Sequence, residues 1–482
     1  MKFRPVLHLV SYLLGFLAVA ELVSWLVSLL CGDSARAQWA LALSGVAALA
    51  AGAVLWRLTR GAVRLSRRDG FAIVTFGWVA SAAAGALPYM LSGAITNPAA
   101  ALFESMSGFT TTGASVLSDL EALPRGILFW RGMTQWLGGM GVLILCVAIL
   151  PFLGVGGMQI YRAEIPGPSK DRLTPRIAST AKLLWALYLL FSIAETVLLM
   201  LGGMDLFDAC CHTFTTMSTG GFSTRTASIA AYDSLYIEIV ITVFMFVAGA
   251  NFALHYRALR GKPRAFLRDP EFRFYTLFWL GSCLLLAVNV HGRVFESFGT
   301  ALRAGFFQGT SIMTTTGYVT EDFDLWPNAS RWLLVLLMFI GGCGGSTGGG
   351  MKVVRFVVVG KRIMRELTRV TRPRTVQRIK LGHDSLDENV VSNITSFFVI
   401  FVAAFAVASL AMMLCTPDMV TAASSVAATL GNIGPGLGGV GATCTYAAIP
   451  TAGKLILTLC MLLGRLELFT VLVLFCPDFW KR

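Results

Sequence analysis

The sequence predicts an all-α membrane protein: two N-terminal transmembrane helices, then four helix–pore-helix–helix repeats in a pseudo-fourfold arrangement around one pore. Three observations carry this. Apolar residues gather in runs of about 20, long enough to cross a hydrocarbon core. Basic residues gather in blocks that alternate with acidic, lysine-poor loops. A short segment rich in Thr, Ser and Gly recurs four times, about a hundred residues apart, a period too long for a solenoid.

Of 482 residues, 56% are hydrophobic and 13% charged. A soluble chain carries about twice that share of charge. The apolar runs include 6–30, 183–201, 397–414 and 455–475. The first is too long for a signal-peptide core and lacks a small-residue cleavage site, so no cleavable leader is expected. The net charge is +13. It lies in four blocks: Arg57, Arg60, Arg64, Arg67 and Arg68; Arg162, Lys170, Arg172, Arg176 and Lys182; Arg257 to Arg273; and Lys352 to Lys380. The positive-inside rule places these blocks, and both termini with Lys2, Arg4, Lys481 and Arg482, in the cytoplasm. No aromatic platform interleaves them, which argues against nucleic acid as a partner.

The elements follow in order. Residues 1–68 hold the two leading helices, near 6–30 and 39–56. The repeats occupy 69–178, 179–268, 269–385 and 386–482. Their first helices begin near Phe71, Leu183, Phe274 and Val391, and their second near Gly126, Ser234, Arg331 and Ala452. Between them, on the outer side, lie FESMSGFTTTGAS (103–115), FDACCHTFTTMSTGGFST (207–224), ALRAGFFQGTSIMTTTGYVT (301–320) and AASSVAATLGNIGPGLG (422–438). Each is too short to span, so each enters and returns. Irregular backbone at membrane depth is tolerated only where it is buried in protein or lines water. Thr hydroxyls and carbonyls there can replace an ion's hydration shell, and oxygen ligands suit a hard cation. The key glycines are Gly113, Gly220, Gly317 and Gly434, whose freedom at positive φ keeps successive carbonyls aimed at one axis. Outer-loop acids (Asp119, Glu121, Asp205, Asp208, Glu296, Glu321, Asp322, Asp324 and Asp418) outnumber the basic residues beside them.

Two further features stand out. Residues 341–350 are all Gly, Ser, Thr or Cys, so the second helix of the third repeat should unwind there, beneath the outer segments. Arg465 lies midway along the last apolar run, where an ionisable residue is a functional-site hypothesis. Glu467, two residues on, points elsewhere and is a poor partner for it. Arg131 and Gln135, one turn apart, read as structural. The GGGMK ending lacks the Lys-Ser/Thr of a phosphate loop, and Gly434, Gly436 and Gly439 spell GxGxxG without a βαβ context. The ten cysteines show no metal-ligand spacing and no disulfide framework. The five histidines, His8, His212, His255, His291 and His383, form no nucleophile arrangement, so no enzyme is expected.

The stretches RGMTQWLGGMG (131–141), GGMQIYRAEIPGP (156–168), GGCGGSTGGGMK (341–352) and GRLELFT (464–470) resemble the membrane subunit of bacterial Trk-type potassium uptake systems, the TrkH branch of the TrkH/TrkG/KtrB superfamily. The resemblance covers essentially the whole chain. It implies a potassium-selectivity filter at Thr111, Thr112 and Gly113; Ser218, Thr219 and Gly220; Thr315, Thr316 and Gly317; and Asn432, Ile433 and Gly434. The fourth segment departs from the pattern, with no Thr-Thr and with Pro435 following, so the filter is not fourfold symmetric. One glycine per repeat implies looser discrimination, with rubidium permeation and some sodium leakage. The resemblance further implies a gate at Gly344, Gly345, Ser346, Thr347, Gly348, Gly349 and Gly350, with Arg465 in the pore below the filter. It implies a multi-pass protein of the bacterial inner (plasma) membrane, surrounded by lipid, homodimeric, and regulated by a cytosolic TrkA-like ring that binds the nucleotide. No covalent cofactor is expected beyond potassium in the filter. Two alternatives remain: a proton- or sodium-coupled potassium symporter using Glu104, Glu195 or Glu467, and a membrane receptor or scaffold without flux.

Overall fold

Four apolar helices need lipid on one side and a polar segment on the other, and this sets the plan of the molecule. The computed structural model describes residues 3–61, 67–141, 177–373, 377–382 and 384–480. Arg64, Arg162, Lys170, Arg172, Arg176, Arg374, His383, both termini, Cys146 and the 156–168 stretch lie outside the described residues. Two helices lead, α1 (Phe3–Leu30) and α2 (Ala35–Thr59). They run antiparallel, with Trp56 Nε1 donating to Tyr12 Oη at 3.2 Å and His8 Nδ1 3.0 Å from Thr59 Oγ1. The first repeat holds α3 (Arg67–Ser92), α4 (Pro98–Phe109) and α5 (Arg125–Gly139). The second holds α6 (Ile177–Leu201), α7 (Leu206–Met217), α8 (Leu235–Ala248) and α9 (Phe252–Leu259). The third holds α10 (Pro270–Val290), α11 (Phe298–Met313), α12 (Asn328–Phe339) and α13 (Val353–Thr371). The fourth holds α14 (Glu388–Met413), α15 (Met419–Leu430), α16 (Thr451–Arg465) and α17 (Phe469–Leu472). Two two-residue strands, Lys380–Leu381 and Asp384–Ser385, and the isolated bridges of His291 with Phe295 and Ile340 with Met351 are the β-type pairings among the described residues.

Six described helices are long and apolar enough to cross a membrane. They leave large apolar side chains such as Val19, Leu43, Leu190, Leu285 and Val407 exposed, as lipid-facing surfaces require. The four short helices, α4, α7, α11 and α15, all start on a capping side chain. Asn97, Asp205, Ser297 and Asp418 accept from backbone N–H groups of the first turn. Each cap is worth about 1 kcal/mol and fixes where the short helix begins. Asp418 is fully exposed, and the hydrogen bonds from Thr421 and Val420 hold its carboxyl below the usual range.

The second helices differ from the sequence expectation. The run 455–475 is not one span: α16 and the helical turns after it meet at 109°, through Glu467 (φ 57°) and Leu468 (φ 41°). Arg465 is therefore the last residue of α16 rather than a mid-helix residue. The second repeat bends by 102° between α8 and α9. The third breaks at residues 340–352, between α12 and α13. Hydropathy does not register a backbone reversal, because an apolar run reads alike whether straight or bent.

The α16 break is secured by a buried ion pair. Arg355 of α13 binds the Glu467 carboxylate, and its guanidinium lies 3.8 Å over the Phe397 ring. Removing one partner of a buried pair leaves an uncompensated charge, at about 3–5 kcal/mol. Glu467→Ala should accordingly lower the melting temperature of the detergent-solubilised protein. Adding Arg355→Ala should recover part of the loss; simple additivity in the double mutant would mean the pair is not coupled.

Candidate functional site

The four short helices end alike. Their last helical positions are followed by Thr110, Ser218, Thr314 and Gly431, all near φ −80° and ψ 0 to −10°. The next residues, Thr111, Thr219, Thr315 and Asn432, have φ of 52°, 54°, 62° and 54°. Each donates its N–H to the carbonyl three residues back, at 2.8–3.2 Å, and the following residue donates to the carbonyl five back. This is the Schellman ending, which ordinarily has glycine at the left-handed position. Threonine there costs about 1–2 kcal/mol, and such strain persists where surrounding structure over-determines it. Strain of this kind at three threonines and an asparagine in matching places marks the site.

Two residues beyond each strained position stands a glycine: Gly113, Gly221, Gly317 and Gly434, with φ of 81°, 75°, 83° and 105°. None has room for a side chain. A methyl group on Gly113 would overlap the Gly220 carbonyl, on Gly221 that of Thr316, and on Gly317 that of Ile433; on Gly434 it would press on that of Thr112. The contacts run from each repeat to the next and close on the first.

This geometry corrects the second repeat. The residues equivalent to Thr111–Thr112–Gly113 are Thr219, Gly220 and Gly221, not Ser218, Thr219 and Gly220. Ser218 takes the place of Thr110 and Thr314 at the helix end. The sequence MSTGG offers two glycines, and only the inter-repeat contact tells which one lacks room against a neighbour's carbonyl. In the other repeats the expected triplets 111–113, 315–317 and 432–434 occupy equivalent positions. Among these twelve ring residues no side chain is charged, and all the threonines and Asn432 are fully buried. Thr111 Oγ1 and Asn432 Oδ1 are buried without a hydrogen-bond partner.

Each seam between repeats has its own tie. Between the first and second, Arg131 binds Glu104 at 2.9 Å, Ser223 O at 3.1 Å and Ser115 Oγ at 3.2 Å, and stacks 4.0 Å over Phe222. Gln135 Nε2 donates to Gly220 O at 2.7 Å, and its Oε1 accepts from Phe222 N at 3.0 Å. Between the second and third, Tyr318 Oη reaches Thr215 Oγ1 and donates to His212 O at 3.0 Å. Between the third and fourth, Asp324 accepts from Gly438 N at 3.2 Å. Between the fourth and first, Tyr446 donates from N to Ser115 O and from Oη to Gly434 O, both at 2.8 Å. Arg131, Gln135, Tyr318 and Tyr446 thus hold the backbone of the ring. Sequence reasoning passed over the tyrosines, although Tyr318 directly follows Gly317. The outer acids are also partly committed to structure: Asp208 pairs with Arg225 and Asp324 with Arg331.

The glycine run lies beneath the ring. Gly349 N donates to Thr315 Oγ1 at 2.6 Å, and Thr347 Oγ1 to Met217 O at 3.0 Å and Ala248 O at 3.2 Å. Cys343 N meets Gly249 O at 2.8 Å, and Phe252 N meets Gly345 O at 3.1 Å. Gly349 is also packed against Gly431 O and the Asn432 Cβ. Arg465 donates Nη1 to Thr347 O at 2.9 Å and Nη2 to Gly138 O at 2.7 Å, joining the loop to the end of α5. The loop's far side hangs on Glu271, which sequence reasoning missed; its Oε1 accepts from Gly344 N at 2.6 Å and Val354 N at 3.1 Å. The strand-like pairing of Ile340 with Met351 closes its base. The loop is therefore a bonded layer that touches the second, third and fourth repeats and is joined to the first through Arg465.

The family model described as TrkH, cation transport protein, matches residues 38–482. The Trk system potassium uptake protein TrkH of Escherichia coli (strain K12) is 43% identical over 100% of both chains. That of Halomonas elongata is 42% identical, again over 100% of both. The crystal structure of the potassium transporter TrkH from Vibrio parahaemolyticus superposes with a TM-score of 0.90 at 40% identity, covering 100% of each chain. A match of this length, on both sequence and fold, means that the chain belongs to the TrkH family of cation transport proteins.

Proposed function

We propose that this protein is a potassium-uptake pore: a ring of four filter segments, one per repeat, above a gate formed by the glycine loop and Arg465. The observation that carries the reading is the cyclic set of glycine-to-carbonyl contacts, which places twelve uncharged, oxygen-rich residues around one locus. The C-terminal ends of α4, α7, α11 and α15 meet there, and helix C-termini carry partial negative charge that favours a cation. Oxygen ligands on backbone carbonyls replace potassium's hydration shell. The substrate is supported by relatives of full length named as potassium uptake proteins.

The gate reading is supported by the loop's position and by Arg465. A guanidinium bonded to Thr347 O and Gly138 O puts a fixed positive charge below the ring, where it opposes cation passage. Proton coupling through Glu104 or Glu467 is disfavoured, since both carboxylates are already engaged by arginines, which leaves Glu195, buried on α6, as the candidate of the three for the coupled alternative. The inner-membrane location, both termini inside, the homodimer and the cytosolic nucleotide-binding ring belong to the same proposal. The basic cytoplasmic stretches, such as Lys361 to Arg372, suit docking of an acidic partner face.

Rubidium uptake into liposomes holding the purified protein tests the reading, with and without an imposed pH gradient. Uptake indifferent to the gradient is expected; uptake that requires it would establish the coupled alternative, and none at all would remove the pore. Two variants test the corrected register. Gly221→Ala should abolish uptake, because its methyl overlaps Thr316 O at positive φ. Ser218→Ala, which loses one hydroxyl bond to Thr215 O, should retain most of it; the reverse pattern would restore the expected register. Shortening 344–350 by two glycines, or Arg465→Ala, should raise basal flux severalfold, about the effect of removing 1 kcal/mol of barrier. Unchanged flux in both would count against the gate.

A further inference from the structure

The ring has one irregular member. Thr112, Thr316 and Ile433 stand at equivalent positions in three repeats, and Gly220 in the other. Positive φ does not explain this glycine, since Gly220 is absent from the residues with positive φ. The cause is Gln135: a methyl group on Gly220 would overlap the Gln135 side-chain amide.

That amide is fully buried and bonded on both sides. Nε2 donates to Gly220 O and Oε1 accepts from Phe222 N, so the side chain spans Gly221 like a rung of sheet. The bonding fixes which end is nitrogen, because a carbonyl demands a donor and an N–H an acceptor. One turn earlier on α5, Arg131 bonds Ser223 O and stacks on Phe222, so Gln135 works from a braced helix. Among the described residues no side chain donates to the equivalent carbonyls of Thr112, Thr316 or Ile433. Of the four, the Gly220 carbonyl is the one held by a side-chain donor.

We propose that Gln135 is a specificity-determining positioning residue of the ring: by clamping the Gly220 peptide it prevents this carbonyl from closing in on a smaller ion. The inference rests on the pore reading above. A carbonyl ring that can contract solvates sodium, whereas one held open favours potassium and rubidium. Gly220 is then the second half of the device, the residue without a side chain that lets the amide reach the backbone.

The test is the ratio of rubidium to sodium uptake into liposomes, normalised to protein that elutes as a single species. Gln135→Met keeps length and volume but loses both bonds. Gln135→Glu keeps the acceptor for Phe222 N and turns an oxygen against Gly220 O. Gly220→Ala leaves Gln135 in place but drives its amide away. Each should lower the ratio about three- to tenfold, the range expected for one hydrogen bond's worth of ordering. A strut with no part in selectivity would lower the yield of folded protein and leave the ratio unchanged; that result, in whichever variants fold, overturns the proposal. Wild-type protein that takes up no rubidium would instead remove the pore reading beneath it.

Discussion

Everything in this molecule is arranged around four places where one backbone lies directly against the carbonyl of another. No side chain fits at Gly113, Gly221, Gly317 or Gly434, and each contact is made by a different repeat to the next. The closeness dictates the residue type at the glycine and, two residues before it, a left-handed turn held by Thr or Asn. Glycine at the turn would be less strained. Side chains there do other work: Thr315 receives the glycine loop through Gly349 N, and Asn432 reaches Thr112 Oγ1 and Met461 O at 3.0 Å. The left-handed strain is about 1–2 kcal/mol per threonine, and the buried ties at the seams offset it.

Those ties are unlike one another, and this is where the fourfold plan gives way. One seam uses Arg131 and Gln135 on α5, one the Tyr318 hydroxyl, one the Tyr446 backbone N–H and one the Asp324 carboxylate. The four segments share this backbone geometry because the ring requires it. They diverge in what holds it, because any donor of the right reach will serve. The inner side is equally unequal. Among the described residues, only the third repeat sends a bonded glycine layer under the ring, and the fourth supplies Arg465 and Glu467 at the break of α16.

Much of this was legible beforehand. The apolar runs located the leading helices and the first helix of each repeat, since about 20 apolar residues have few other uses. The recurrent Thr-, Ser- and Gly-rich segments marked where the four short helices and their endings lie. The third-repeat glycines announced an unwound segment. Other features left no local trace. The bends after α8 and α16 lie inside apolar runs that read as straight, and so Arg465 looked mid-helical. Glu271 and Arg355 have no local pattern that sets them apart from other charged residues, yet one carries the loop and the other holds Glu467.

The second repeat shows the boundary most clearly. Its sequence determined that a helix capped by Asp205 would end in a Ser-Thr-Gly-Gly turn, because capping and glycine preference act within a few residues. Which glycine closes the ring was decided by contacts with Thr316, a hundred residues away in sequence, and with Gln135 on a helix of another repeat. A local pattern records what a short backbone can do. Only the packed structure shows which neighbouring carbonyl stands too close for a methyl group, and that distance sets the register of the site.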